Sequence, residues 1–234
     1  MPAPPQAFLE RLEAAGLGLW ATLPAGEYDA VVPAPWRSAG VLPGARTAIL
    51  LGSGGRGLWE AFRRAPEWGR PGDPLDAYTE RIAAEAAAAL EAAGHPSLAL
   101  FAHQPRGGQL ADFVGLGARA GLGAPSRLGL LLHPHHGPWL SLRALLLSEL
   151  DWSAPAQAPE GFDPCRGCSA PCQRACPGAA PTPAGFDLGR CAAARGHTPA
   201  CAESCAARLA CVVGPASAYA PEALAHHMRH VRLP

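Results

Sequence analysis

Residues 165–177 read CRGCSAPCQRACP and place four cysteines at the spacing C-x2-C-x3-C-x3-C, closed by Pro177. Four more follow, Cys191, Cys201, Cys205 and Cys211, while residues 1–164 contain none. The chain therefore divides into a thiol-free part, residues 1–153, and a thiol-rich part, residues 160–234. They join through the Pro/Ala-rich stretch SAPAQAPEG at 153–161. No apolar run approaches the roughly 18 residues of a membrane span, and the opening MPAPPQAFLERLEAAG has neither a basic start nor a long apolar stretch. A soluble, cytoplasmic protein with no membrane partner is expected. Reducing cytosol keeps thiols reduced, which makes clustered cysteines metal ligands or catalytic groups before it makes them disulfides.

Composition narrows the classes further. A hydrophobic share of 49% against 16% charged residues provides a core and excludes wholesale disorder. All 19 cations are arginines and balance 19 carboxylates. Zero net charge argues against a protein held on nucleic acid mainly by phosphate contacts. The absence of lysine excludes a P-loop lysine and a Schiff base through a side-chain amine. Hydrophobic periodicity predicts helices over 5–15, 58–64 and 76–93, the last alanine-rich and closed by Gly94 and Pro96. Strands are expected over 48–51, 97–101, 128–132 and 140–147, the last two flanking the corner HPHHGPW as a hairpin. The fold class is α/β (α+β), with four or five strands covered by helices. Residues 48–57, AILLGSGGRG, have the form G-x-G-x-x-G. Three readings stay open there: a nicotinamide site, a loop approaching a large planar or phosphorylated ligand, and a plain tight turn.

The run at 165–177 resembles the bacterial ferredoxin motif, whose cysteine before proline ligates the other of two clusters. That resemblance implies two [4Fe–4S] clusters, which need eight thiolates, and eight cysteines exist. It assigns Cys165, Cys168, Cys172 and Cys211 to one cluster and Cys176, Cys191, Cys201 and Cys205 to the other. Two departures stand out: the second gap has three residues rather than two, and Val212 rather than proline follows Cys211. Two structural zinc sites of four thiolates each, or disulfides, are the other uses of eight cysteines.

Within residues 110–147 the segments AGLG (120–123), LLLHP (130–134), GPW (137–139) and LRALLL (142–147) resemble the cobalamin-binding domain of epoxyqueuosine reductases. There too, cysteines for two [4Fe–4S] clusters follow. The same stretch is similar to the cobalamin-processing CblC proteins, and the likeness extends to VLPGARTAILL (41–51), FAHQPR (101–106) and VVGPASAYAPEALAHHM (212–228). The resemblance covers roughly residues 40–234 and implies a nitroreductase-related sheet-and-helix domain. That domain would bind a corrinoid with its lower ligand displaced, followed by a small ferredoxin-like module. It implies His103, Arg127, His133 and Trp139 as cobalamin-binding candidates, though each has a plain structural use as well. An electron donor, whether a reductase, a ferredoxin or a flavodoxin, is the implied partner. The general acid of epoxyqueuosine reductases would fall near Gly107, and the nearest acid, Asp112, is displaced by several residues. A tRNA substrate is therefore not expected. The leading reading is an iron–sulfur oxidoreductase or cobalamin-handling protein. Behind it stand a plain ferredoxin-type electron carrier and an epoxyqueuosine-reductase-like enzyme of another substrate.

Overall fold

The computed structural model describes residues 4–230. The chain forms two compact units, one of residues 4–122 with Ser141–Ala156, the other of Gly123–Leu140 with residues 157–230. The strands are β1 (Leu19–Pro24), β2 (Thr47–Gly54), β3 (Ser97–Phe101), β4 (Ala124–Pro125), β5 (Leu131–Leu132), β6 (Leu140–Ser148), β7 (Pro181–Thr182) and β8 (Gly185–Phe186).

In the first unit a four-stranded sheet runs β1-β2-β6-β3, with β1 antiparallel to β2 and β3 antiparallel to β6. The central strands read as unbroken apolar runs because helices and loops cover both their faces: Ile49, Leu50 and Leu51, and Ala144 to Leu147, are fully buried. Burial of each large side chain among them contributes about 1.5–3 kcal/mol. Ala48, Leu50, Leu145 and Leu147 pack with Tyr28, Trp36, Phe113 and Leu116 into one core. The Tyr28 hydroxyl donates to the Trp36 carbonyl at 2.7 Å, satisfying a polar group inside that core.

The longest helix, Pro74–Ala92, starts with Pro74 at its first position and Asp73 accepting from the Asp76 N–H at 3.2 Å. Its buried residues Ile82, Ala83, Ala86, Ala87 and Leu90 recur at three and four, the stripe a sheet-covering helix needs. Gly94, at φ +87°, turns the chain out of it toward β3. Among the described residues no helix is long and apolar enough to cross a membrane.

At 48–57 the structure has the strand and turn of one of the readings left open, and the hairpin expected downstream is corrected. Residues 48–57 form a strand and a tight turn: β2 runs to Gly54, Gly55 sits at φ +67°, and a six-residue helix, Gly57–Phe62, follows. A side chain at Gly52 would strike the Ser141 carbonyl and Leu142, so that glycine serves the close approach of β6. The predicted hairpin of 128–132 with 140–147 does not form. β5 pairs with β4, through Ala124↔Leu132 and Pro125↔Leu131, while β6 lies between β2 and β3. The corner between them closes on itself, His133 and Gly137 exchanging N–H···O bonds of 2.9 and 2.8 Å. As a result Gly123–Leu140 belongs to the unit that holds the cysteines, although the sequence reading put it in the first domain. The chain re-enters that unit at Gln157, inside the Pro/Ala-rich stretch.

Candidate functional site

All eight cysteines lie in the second unit, and none is bonded to another. Short, sharply turned segments carry them. The Cys168 N–H donates to the Cys165 carbonyl across a turn that holds Gly167 at φ +72°. Ala170 then adopts a left-handed conformation, rare for a residue with a Cβ, and aims the helix Pro171–Ala175 so that Cys172 is buried. Pro177 cannot continue that helix, which leaves Cys176 extended at its end.

From there the chain must pass close to the next carrier, the helix Leu188–His197, which bears Cys191. A side chain at Gly178 would collide with the Ala194 Cβ and the Arg190 carbonyl. Glycine at 178 is therefore what lets the Cys176 loop reach the Cys191 helix. Asp187 starts that helix by accepting from the Arg190 N–H at 2.9 Å. Cys201 sits in the 3-10 turn Pro199–Ala202, and Cys205 heads the short helix Ala206–Leu209, which packs on Pro171–Ala175.

The thiols separate into two groups. Cys211 is acted on by Cys172, Cys165 and Cys168, and Cys172 by Cys165 and Cys168. Cys191 is acted on by Cys205, Cys176 and Cys201, and Cys205 by Cys176. The first four line a small cleft, partly open to solvent, together with Arg127, Leu128 and Val212. Between the groups lies an apolar seam built on Leu128, Cys172 and Ala207.

Burial pushes the thiols of Cys172, Cys191, Cys205 and Cys211 up from the ordinary value. Backbone N–H groups pull the other way: Gln173 on Cys172, Ala207 and Arg208 on Cys205, Val213 on Cys211. Such donors suit sulfur that carries negative charge, as a metal-bound thiolate does.

The other expected site residues have varied surroundings. His103 is in the first unit, its Nε2 2.8 Å from Glu80 Oε1 and its Nδ1 3.5 Å from Asp76 Oδ1. His133 is buried, Nδ1 accepting from the N–H groups of His135 and His136 at 3.1 and 3.3 Å while Nε2 meets Gln157 Oε1 at 3.1 Å. Two amide donors on Nδ1 leave the ring proton on Nε2, so the imidazole is neutral and fully used. Trp139 is buried beneath Arg208 and edge-on to Tyr219, and its Nε1 has no acceptor. Arg127 alone of the four joins cysteines, at the cleft of the first group. Asp112 accepts from the Gly115 N–H at 2.9 Å and caps the helix Phe113–Arg119.

The sequence reading overlooked Arg195 and Arg208. Arg208 follows Cys205 by three residues, and no Asp or Glu occurs between Glu203 and Glu222. A cation next to cysteines without a nearby carboxylate was the signal available.

No family model matches the chain, and no curated protein matches it. Solved structures do. An epoxyqueuosine reductase with an epoxyqueuosine-modified tRNA-Tyr stem loop aligns over 80% of this chain and 55% of its own, at 13% identity and TM-score 0.54. A catabolic reductive dehalogenase in complex with 3-bromo-4-hydroxybenzoic acid aligns over 90% of this chain and 33% of its own, at 18% identity and TM-score 0.56. Another, described as suggesting a mechanism for B12-dependent dehalogenation, aligns over 92% and 34%, at 18% identity and TM-score 0.53. This chain thus spans about half the length of the first and a third of the others. The mixed α/β fold is the expected one and matches theirs, and the cysteines of this chain lie in its C-terminal region. One fold accompanies both a tRNA stem loop and a small halogenated acid, so it does not by itself choose a substrate or set tRNA aside.

Proposed function

We propose that this chain is a reductase that holds two [4Fe–4S] clusters, one in each group of four thiols, and a corrinoid that accepts their electrons. The observation that carries the reading is the separation of the eight thiols into the groups 165/168/172/211 and 176/191/201/205, with backbone N–H groups on three of the sulfurs. The run C-x2-C-x3-C-x3-C closed by Pro177 favours a cluster over zinc, whose ribbons separate their paired cysteines by longer spans.

When bound, the clusters supply single low-potential electrons, the form in which cobalt is reduced. The chain's own part is to bury Cys172 against Leu128 and Ala207 and to orient the thiols through the turns at Gly167 and Ala170. For the corrinoid the fit is narrower. His103 Nε2 meets Glu80 at 2.8 Å in the sheet unit, and both ring nitrogens of His133 are hydrogen-bonded, so His133 has no lone pair to spare. Arg127, at the cleft of the first thiol group, remains as a polar group able to meet ring substituents, whereas Trp139 is buried away from that cleft. The electron donor is a one-electron carrier of the flavodoxin or ferredoxin kind.

The test is one anaerobic preparation assayed for iron, sulfide and corrinoid. About eight iron and eight sulfide per chain, with a base-off spectrum on corrinoid addition, is expected. Stoichiometric zinc without sulfide would end the cluster reading. Clusters with an unchanged corrinoid spectrum would leave the plain electron carrier.

A further inference from the structure

Arg208 is only 9% exposed, yet among the described residues no carboxylate pairs with it. Its guanidinium lies 4.8 Å from the Trp139 ring and 4.6 Å from the Tyr219 ring. Nε and Nη2 both donate to the Pro138 carbonyl, at 3.1 and 2.6 Å. These contacts fix the group without neutralising it, and an unneutralised cation in a dry interior is costly unless negative charge lies near. Arg208 is three residues from Cys205, whose sulfur its backbone N–H meets and its charge acts on.

Arg195 repeats the arrangement. Nη1 donates to the Cys201 carbonyl at 2.7 Å and Nη2 to the Met228 carbonyl at 2.7 Å, again with no carboxylate, and its charge acts on Cys191. Both arginines therefore attend the group 176/191/201/205. In the other group, Cys172 and Cys211 are acted on by burial, backbone N–H groups and neighbouring thiols. Arg166, between Cys165 and Cys168, is 89% exposed and faces Asp163.

We propose that Arg195 and Arg208 are the built-in counter-charges of the second cluster and make it the easier of the two to reduce. The inference rests on the cluster reading above. Each reduction adds one electron and one negative charge to a tetrathiolate cluster. A fixed cation in low dielectric favours the more negative state and raises the midpoint potential of the cluster beside it; two such cations attend the second group, and Arg127 lines the cleft of the first. An electron entering from a one-electron donor then comes to rest on the second cluster before the first is filled. Arg195 and Arg208 act as positioning charges and touch no substrate.

Dithionite titration of the anaerobically loaded full chain, followed by EPR, tests this. Wild type is expected to show two midpoint potentials. Arg208→Gln and Arg195→Gln should each lower the higher one and leave the lower in place, while Arg208→Lys keeps the higher near wild type. Arg127→Gln, at the first cleft, should touch only the lower. If Arg208→Gln sheds iron, Arg195→Gln carries the test, because its guanidinium is less buried. A higher potential unmoved in loaded Arg195→Gln, or lowered equally by Arg127→Gln, overturns the proposal. A wild-type chain without iron and sulfide instead overturns the reading beneath it.

Discussion

The two units hold their arginines differently. In the sheet unit Arg46 meets Asp151 at 2.6 Å, Arg81 meets Glu67 at 2.7 Å and Glu85 at 2.9 Å, and Arg143 meets Asp76 at 3.0 Å. In the cysteine unit the ion pairs are longer than these, Arg190 to Asp187 at 3.4 Å and Arg229 to Glu203 at 3.8 Å, and are as exposed as the Arg46–Asp151 pair. Its buried arginine, Arg208, rests on a carbonyl. The cores differ in the same sense. The sheet unit has a continuous apolar interior, whereas the seam between the thiol groups is built on three buried residues. The well-covered arginines of the sheet unit meet carboxylates, and the buried arginine of the cysteine unit does not. Anionic clusters between the thiols would supply the missing charge.

The largest effect that could break this contrast is iron removal. Chelation under reducing conditions should unfold the cysteine unit and leave the sheet intact, since metal binding to such ligand sets is worth on the order of 10 kcal/mol of folding free energy. Hydrogen exchange reads it: amides over residues 165–213 lose protection while β2 and β6 keep theirs. Equal protection with and without iron would contradict the dependence. Leu50→Ala is the mirror experiment, costing about 2–5 kcal/mol in the sheet unit because the side chain is fully buried. Iron content per folded chain should not change, and iron loss in that variant would join what the contrast separates. Gly178→Ala is smaller and more local. Its Cβ would press on Ala194 and Arg190, an overpacking of about 1–3 kcal/mol, so about half the iron should be lost and the other half retained.

The sheet unit was readable wherever one residue pattern decides one element. The predicted strand 97–101 is β3, and helix 76–93 appears as Pro74–Ala92, because Gly94 and Pro96 end it whatever surrounds them. β1 was missed: LWATLP ends in proline and alternates poorly, and only pairing with β2 makes it a strand. The hairpin at 128–147 failed because period and turn length are local, whereas the pairing of 131–132 with 124–125 depends on Gly123, which lets backbone approach the Leu132 carbonyl. The cysteines were legible as a set of eight, since ligand number is countable in sequence. Arg195 and Arg208 were not, because what distinguishes them is the absence of a carboxylate around a buried guanidinium, a property of packing.

The smallest prediction sharpens the contrast through pH. Burial holds His133 and His136 below the ordinary imidazole value of 6.5. The unfolded chain then binds protons that the folded one refuses. Stability from these groups is fully present above about 6.5 and declines as pH falls below it. For His133 the cost has a plain cause, since a proton on Nδ1 would face two amide N–H donors. Glu67 sets a different window in the sheet unit. The Arg81 guanidinium holds its carboxyl below the ordinary 4.5, so its contribution is present above that value and is lost only as pH falls through the lowered one. Between pH 6.5 and 5 the cysteine unit should therefore weaken while the sheet unit does not, read as urea midpoints from residue-resolved exchange. His133→Asn, which keeps an acceptor for the two amides but cannot be protonated, should flatten the decline in the cysteine unit alone. A decline unchanged in that variant would assign the pH sensitivity to some group other than His133.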